Sequence, residues 1–220
     1  MFDNSQVYSR FVLVWINGPF GGGKTQTAHE LHRRLPGSVI CDPELVGFGL
    51  HRMMPPELRH DFQDIPAWRQ GVFEVLHHTL LNDNRVVIAP MTLVERSYFD
   101  QIIGRLRTEG HTVHHFALLA DRDTVLRRLR ERGVGHLVNR VVNRRRGGRE
   151  SFAVTNLDRC LERLHEPHFA AQVNTDQLTV PAVAEHIAAV AGLDLLPNHD
   201  SPARQRLRQA WIGLRHIRFD

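Results

Sequence analysis

Short apolar runs alternate along the chain with longer stretches of helical spacing. The run FVLVWIN at 11–17 is β-branched and aromatic, which predicts a strand buried on both faces of a sheet. Further strands are predicted at 39–41, 85–89, 112–119 and around Val173. Helices are predicted between and after them, at 24–35, 67–81, 98–108 and 180–191. This alternation predicts an α/β fold with a five-stranded, mostly parallel sheet.

Composition limits the class of protein. The chain has 220 residues, of which 42% are hydrophobic and 24% charged, as in an ordinary globular protein. Two cysteines, Cys41 and Cys160, are too few for a disulfide scaffold. No signal peptide or membrane-spanning run is evident in the sequence, so a cytoplasmic location is expected.

The basic residues are unevenly divided between lysine and arginine. Of the 28 basic residues only Lys24 is a lysine, and the net charge is +4. A basic chain suits phosphate ligands, nucleic acid or an anionic membrane, and the positions of the charges must decide among them.

Residues 18–25 carry the first of these charges in a phosphate-binding motif. The sequence GPFGGGKT fits G-x-x-x-x-G-K-[ST] and lies between a predicted strand and a predicted helix. In such a loop, backbone N–H groups and Lys24 bind nucleotide phosphates, and Thr25 binds Mg²⁺. The alternative is a glycine-rich turn without a ligand. The candidate nucleotide-binding residues are Gly18, Phe20, Gly21, Gly22, Gly23, Lys24 and Thr25.

Asp42 is the candidate for acid–base chemistry. It follows the second strand, and ligands of open α/β sheets bind at the carboxyl edge where such residues emerge. Its carboxylate is suited to accept a proton from a substrate hydroxyl or to hold Mg²⁺ through water. The alternative is a residue that caps the following turn. Strand three ends in Ala89-Pro90-Met91-Thr92 without an acidic residue, which places more weight on Asp42.

Nine arginines and a single acidic residue, Glu131, lie between 127 and 149. Arg128 and Arg132 are spaced i and i+4 and share a helical face, so they are candidates to stabilise a transferring phosphoryl group from a mobile lid. The alternative is a solvated basic loop. For Arg144 to Arg146 the sequence leaves a lid, an anion-binding patch and a role in solubility equally open.

The last segment is basic and amphipathic. An apolar stripe with helical spacing is flanked by arginines, and it is formed by Ala203, Leu207, Ala210, Trp211, Leu214 and Ile217. This pattern over 203–217 is typical of a helix in the interface of an anionic membrane, and equally of a terminal helix docked on its own core. Nucleic acid is a poorer partner, since aromatic residues are few and no binding module is present.

Two regions are therefore predicted: a P-loop, kinase-like nucleotide-binding domain over 1–197 with a lid at about 133–152, and a basic amphipathic helix over 198–220. A structural metal site is not expected, because the adjacent histidine pairs at 77–78 and 114–115 point in different directions.

Several segments together resemble the tunicamycin-resistance ATP-binding protein family. They are Ile16-Asn17-Gly18, Phe20-Gly21, Gly23-Lys24-Thr25-Gln26-Thr27, Asp42-Pro43-Glu44 with Gly47-Phe48, Asp61-Phe62-Gln63, Pro90-Met91-Thr92, His114-His115-Phe116 and His216-Ile217-Arg218. The extended phosphate loop with Gln26 is the most specific of them, and it adds Gln26 to the candidate nucleotide-binding residues.

The resemblance implies ATP binding, resistance to a lipid-tailed uridine antibiotic and membrane association through the tail. The layout is also similar, more distantly, to adenylate-kinase-like small-molecule kinases with a three-layer P-loop fold. In chloramphenicol phosphotransferase, one of these, an Asp after strand two is the base, which matches Asp42. The leading hypothesis is an ATP- and Mg²⁺-dependent phosphotransferase acting on tunicamycin or a related nucleoside-like molecule. The alternative is a nucleotide-gated protein that sequesters the drug at the inner membrane surface without modifying it.

Overall fold

The computed structural model describes residues 12–134 and 156–215, apart from the side chains of 130–134, 202, 206 and 213–215. Most of the predicted lid, including all of Arg140 to Arg149, therefore lies outside the described residues.

The centre of the fold is a parallel sheet of five strands in the order β2-β3-β1-β4-β5. The strands are β1 (Val12–Asn17), β2 (Val39–Ile40), β3 (Val87–Pro90), β4 (Thr112–Leu119) and β5 (Gln172–Asn174). Parallel registers pair Leu13 with Val87, Val39 with Val87, and Leu118 with Val173. All six residues of β1 are buried, as an apolar strand in a parallel sheet requires. The predicted fold class is confirmed.

The described helices lie between and after these strands along the chain. They are α1 (Lys24–Arg34), α2 (Glu44–Met53), α3 (Pro66–Asn82), α4 (Arg96–Phe99), α5 (Arg105–Thr108), α6 (Arg122–Val134), α7 (Leu157–Leu164), α8 (Val180–Ala191) and α9 (Pro202–Arg215). A π-helical turn, Asp100–Gly104, joins α4 to α5. In the part of the chain that the structure describes, 3₁₀ turns lie at Pro56–Leu58, Phe62–Asp64 and Pro167–Phe169.

Helix α2 was not predicted from the sequence. Glycines at positions 47 and 49 lower its intrinsic helix propensity. A Cβ atom on Gly47 would lie only 2.5 Å from Cγ of Phe62, so the glycine allows the aromatic ring to pack directly on the helix backbone. Phe62 also contacts the rings of Phe48 and Trp68, with centroids 6.1 and 5.5 Å away. Tertiary packing therefore forms this helix against its local propensity.

The described residues divide into two compact units. The first unit runs to Asn17 and resumes over Gly37–Phe116, and it carries β1, β2, β3 and helices α2 to α5. The second unit runs over Gly18–Pro36 and resumes at Ala117, and it carries α1, β5 and helices α6 to α9.

Two histidines form a hydrogen-bonded pair in the first unit. Nδ1 of His77, on α3, lies 2.8 Å from Nε2 of His111, which is buried just before β4. The pKa of His111 is lowered from its ordinary value of 6.5, first by burial and then by the nearby His77, while Glu109 acts weakly in the opposite direction. Burial and Arg107 likewise lower the pKa of His114.

The fold is therefore expected to lose stability in mild acid. A histidine whose pKa is lower in the folded state stabilises the protein fully above 6.5, and this contribution is lost as the pH falls toward the folded pKa. The Tm of wild type should decrease between about pH 7.5 and about pH 5.5, and His111→Gln should show a smaller decrease over the same interval. The control is His78→Gln on the exposed side of α3. A decrease in His111→Gln equal to that of wild type would contradict the assignment.

Candidate nucleotide site

The loop between β1 and α1 is shaped by glycines. Gly21 and Gly23 have φ angles of 80° and 94°, in the left-handed region that favours glycine. A Cβ atom on Gly18 would lie 2.9 Å from the carbonyl oxygen of Leu118, so only glycine fits this close against the strand. Around Gly23, by contrast, nothing lies within 4 Å of an added Cβ. The loop is thus packed at its start and open where it enters the helix.

Helix α1 begins at this open end. Its N-cap is Gly23, which provides no side-chain hydrogen bond, and no acidic residue lies in the first turn. The first N–H groups of a helix have no intrahelical partner and carry the positive end of the helix dipole. An 11-residue helix that starts on a glycine loop without a side-chain cap is suited to bind an anion there.

Lys24 is the first residue of α1, and its side chain hydrogen-bonds to the start of the phosphate loop. Its side chain is buried, and Nζ donates to the carbonyl oxygens of Gly18 and Pro19, both at 3.0 Å. The ring of Phe20 lies 5.5 Å from the same ammonium group. These contacts hold a buried positive charge over the loop, where phosphate oxygens are strong ligands for it.

Helix α6 packs directly on the phosphate loop. A Cβ atom on Gly21 would lie 3.0 Å from Cγ of Leu129 and 3.3 Å from Cγ1 of Val125. Val125 is fully buried in a small apolar cluster with Ala120 and Leu157. The helix that carries Arg128 and Arg132 is therefore fixed against the loop, and the side chain of Arg132 lies outside the described residues.

The guanidinium of Arg128 is held at the end of β5. It donates from Nη1 to Oγ1 of Thr175 at 3.0 Å and from Nη2 to the Thr175 carbonyl at 2.7 Å. Thr175 in turn donates to the carbonyl of Leu119 at the end of β4. In this structure Arg128 thus ties α6 to the carboxyl edge of the sheet.

Gln26 turns away from the loop toward the C-terminal helix. Its Nε2 donates to the carbonyl of Gln209 on α9 at 2.9 Å, and its Oε1 is buried without a hydrogen-bond partner. The side chain of this predicted nucleotide-binding residue therefore contacts α9.

Helix α9 packs on α1 through a polar face. Ile212 is buried there, and Arg208 pairs with Asp200, which also lies 3.8 Å from Arg33 of α1. The members of the predicted apolar stripe that the structure describes do not form the packing face, since Leu207 and Trp211 are 72% and 58% exposed. The helix packs on α1 with these two apolar side chains exposed.

Asp42 lies two residues before the start of α2, in the first unit. Its Oδ1 accepts a hydrogen bond from the N–H of Glu44 at 3.0 Å, and its carbonyl accepts from the N–H of Leu45 at 3.1 Å. The indole N–H of Trp68 donates to the carbonyl of the next residue, Pro43, at 3.1 Å. Asp42 thus caps this helix start, as one of the two sequence interpretations predicted, and its carboxylate is partly exposed.

Asn17 carries part of the family resemblance but is not one of the predicted site residues. It is fully buried at the end of β1, where its side chain hydrogen-bonds Leu93 and contacts His115. A polar residue at the last position of an apolar strand was the available signal.

The described residues contain no cluster of three or more His, Cys, Asp or Glu side chains arranged for a metal. Among their helices, none is both long and apolar enough to cross a membrane.

The glycine loop, the uncapped helix start and the buried lysine define a P-loop nucleotide-binding protein. The family model described as AAA domain matches residues 13–150. The tunicamycin resistance protein of Deinococcus radiodurans is 33% identical, with 84% of this chain and 99% of that chain covered and a TM-score of 0.67. The chain therefore belongs to the AAA domain family and to the family of the tunicamycin resistance protein.

More distant structures share the fold. The APS kinase of Mycobacterium tuberculosis is 16% identical over 83% of this chain and 98% of its own, with a TM-score of 0.56. The shikimate kinase of Bacteroides thetaiotaomicron is 15% identical over 83% of this chain and 99% of its own, with a TM-score of 0.54. No match was found among curated protein sequences.

Proposed function

We propose that this protein is an ATP-dependent phosphotransferase that acts on tunicamycin or a related nucleoside-like small molecule. The observation that carries the proposal is the buried Lys24 ammonium, held over a glycine loop at an uncapped helix start. The 33% identity to a tunicamycin resistance protein supports the choice of acceptor.

In this proposal phosphate binding, proton transfer and charge stabilisation are assigned to different residues. Lys24 and the first N–H groups of α1 bind the phosphates and stabilise the charge that develops during transfer. The oxygen of the substrate hydroxyl attacks the terminal phosphorus of ATP while Asp42 accepts the hydroxyl proton. The bond from that phosphorus to the leaving ADP oxygen breaks. Arg128 and Arg132, on the helix that packs on Gly21, are the proposed lid arginines.

The donors at these positions fit Mg²⁺. The proposed ligands are the hydroxyl of Thr25, in the first turn of α1, and the carboxylate of Asp42, acting directly or through water. Oxygen ligands of this kind suit a small hard cation, which when bound neutralises phosphate charge.

The test is direct detection of the product. Protein, Mg·ATP and tunicamycin are incubated together, and the drug is analysed by mass spectrometry for the addition of one phosphate. Unmodified drug that co-purifies with the protein only when ATP is present would refute transfer and favour sequestration.

The second candidate function is nucleotide-gated drug binding at a membrane surface. The observation that favours it is the outward apolar side of α9, where Leu207 and Trp211 are exposed beside the exposed Arg204. The packing of α9 on α1 also suits a helix that can detach. Two atoms between these helices, Oε1 of Gln26 and Nε of Arg208, are buried without hydrogen-bond partners. Unsatisfied buried polar atoms weaken an interface.

Vesicle binding tests this candidate. Wild type is expected to sediment with vesicles that contain phosphatidylglycerol and not with pure phosphatidylcholine, because the helix joins apolar and positively charged side chains. Leu207→Ser with Trp211→Ser should weaken that binding about tenfold or more. The control is Val190→Ser, an apolar position on α8 that is 53% exposed. Unchanged binding by the double variant would exclude α9 as the membrane contact.

A further inference from the structure

Asn17 is the last residue of β1 and the one residue of this strand with an amide side chain. It is completely buried, and its amide is paired at both ends with one residue, Leu93. Oδ1 accepts from the Leu93 N–H at 2.9 Å, and Nδ2 donates to the Leu93 carbonyl at 2.7 Å. The donor and acceptor of Leu93 therefore fix which side of the amide is nitrogen.

The hydrogen bonds between the Asn17 side chain and Leu93 lie directly beyond the last backbone pair of β1 and β3. The register ends with Ile16 opposite Pro90, and the N–H of Met91 still donates to the Ile16 carbonyl at 3.0 Å. Beyond that point the Asn17 amide supplies one donor and one acceptor, as a strand neighbour would. The side chain thereby keeps the segment Met91–Leu93 attached to the end of β1, one residue before the phosphate loop begins.

The same amide determines the state of His115. The second hydrogen of Nδ2 faces Nε2 of His115 at 3.2 Å, so this ring nitrogen must accept. An imidazole that accepts at Nε2 is neutral and carries its proton on Nδ1. His115 is buried on β4, and the ring of Phe99 lies edge-on to it with the centroids 4.9 Å apart. The guanidinium of Arg107 lies 5.9 Å from the centroid of the Phe99 ring.

We infer that Asn17 is a positioning residue of the nucleotide site. Strand three ends without the acidic residue that many phosphate-loop proteins carry there, and the segment that follows is held instead by a neutral amide clamp of Asn17, Leu93 and His115. This clamp fixes the end of β1 from which the loop departs. The inference rests on nucleotide binding, which belongs to the proposed function, but not on phosphoryl transfer.

The experiment compares nucleotide affinity with folding. Dissociation constants for Mg·ATP and for Mg·ADP are measured by calorimetry for wild type, Asn17→Ala and Asn17→Asp, together with Tm. The matched control is Val87→Ala, because Val87 is also fully buried in the sheet and its truncation leaves a cavity. Asn17→Ala should lose affinity about tenfold or more, whereas Val87→Ala lowers Tm with affinity unchanged.

Asn17→Asp provides a signature that a purely structural role would not produce. Aspartate still accepts from the Leu93 N–H, but it cannot donate to the Leu93 carbonyl or to His115. Nitrogen NMR of the histidine rings should show Nε2 of His115 unprotonated in wild type and protonated, as part of an imidazolium, in the variant.

Two results would overturn the inference. One is an Asn17→Ala protein that binds Mg·ATP as tightly as wild type, or that loses no more affinity than Val87→Ala at the same loss of Tm. The other is a wild-type His115 that carries its proton on Nε2. A failure to phosphorylate the drug would refute the proposed transfer and leave both of these measurements unaffected.

Discussion

Lys24→Ala is expected to lose affinity for Mg·ATP about a hundredfold, because hydrogen bonds from a charged donor contribute about 1.5–3 kcal/mol each. The ammonium is buried and already positioned by the carbonyls of Gly18 and Pro19, so little of its binding energy is spent on ordering the side chain. Removing it leaves the helix start as the remaining positive element of the loop. Both candidate functions depend on the nucleotide, so both should be lost.

Calorimetry with Mg·ATP measures this effect, and the Tm of the variant shows whether the loop still folds. Lys24→Arg is the informative companion, since arginine keeps the charge but presents it on a larger planar group instead of a compact ammonium. Affinity within threefold of wild type in Lys24→Ala would mean that the loop does not bind phosphates through this residue.

Asp42→Asn is expected to reduce phosphoryl transfer by about 10²–10⁴-fold, the range that general base catalysis contributes. The substitution is well matched to the structure, because asparagine retains an oxygen that can accept from the N–H of Glu44. The start of α2 should therefore remain capped, and nucleotide binding and Tm should stay close to wild type. Only the ability to take a proton is removed.

Transfer is followed as phosphorylated drug over time, and nucleotide affinity is measured on the same preparation. Asp42→Ala serves as the structural comparison, since it also removes the cap and should cost about 1 kcal/mol in stability. If Asp42→Asn transfers phosphate at the wild-type rate, Asp42 acts as a helix cap and the base must be sought elsewhere.

The parts of the site that lie in one short stretch were predictable from sequence. The phosphate loop is eight consecutive residues, and its chemistry follows from their order. The strands of the sheet could be read from apolar runs for the same reason. Asn17, by contrast, acts through residues 76 and 98 positions away, and no local pattern carries that information.

Two helices show why local patterns fail in opposite ways. Helix α2 has glycines that argue against a helix, and it forms because Phe62 packs on the bare backbone of Gly47. Helix α9 has a clear apolar stripe, yet its hydrogen bond with α1 is made by the carbonyl of Gln209, and the residue it buries is Ile212. Amphipathic spacing predicts that a helix forms, but it does not determine which side packs on α1, because that depends on partners distant in sequence such as Gln26.

The distribution of tryptophans gives the protein an internal fluorescence probe. Trp15 and Trp68 are completely buried, whereas Trp211 lies more than half exposed on α9. A collisional quencher such as acrylamide should therefore act first on Trp211, and a blue shift of the quenchable emission would report transfer of this helix to a less polar environment. The C-terminal helix can thus be followed in the unlabelled wild-type chain while nucleotide, drug or lipid is added.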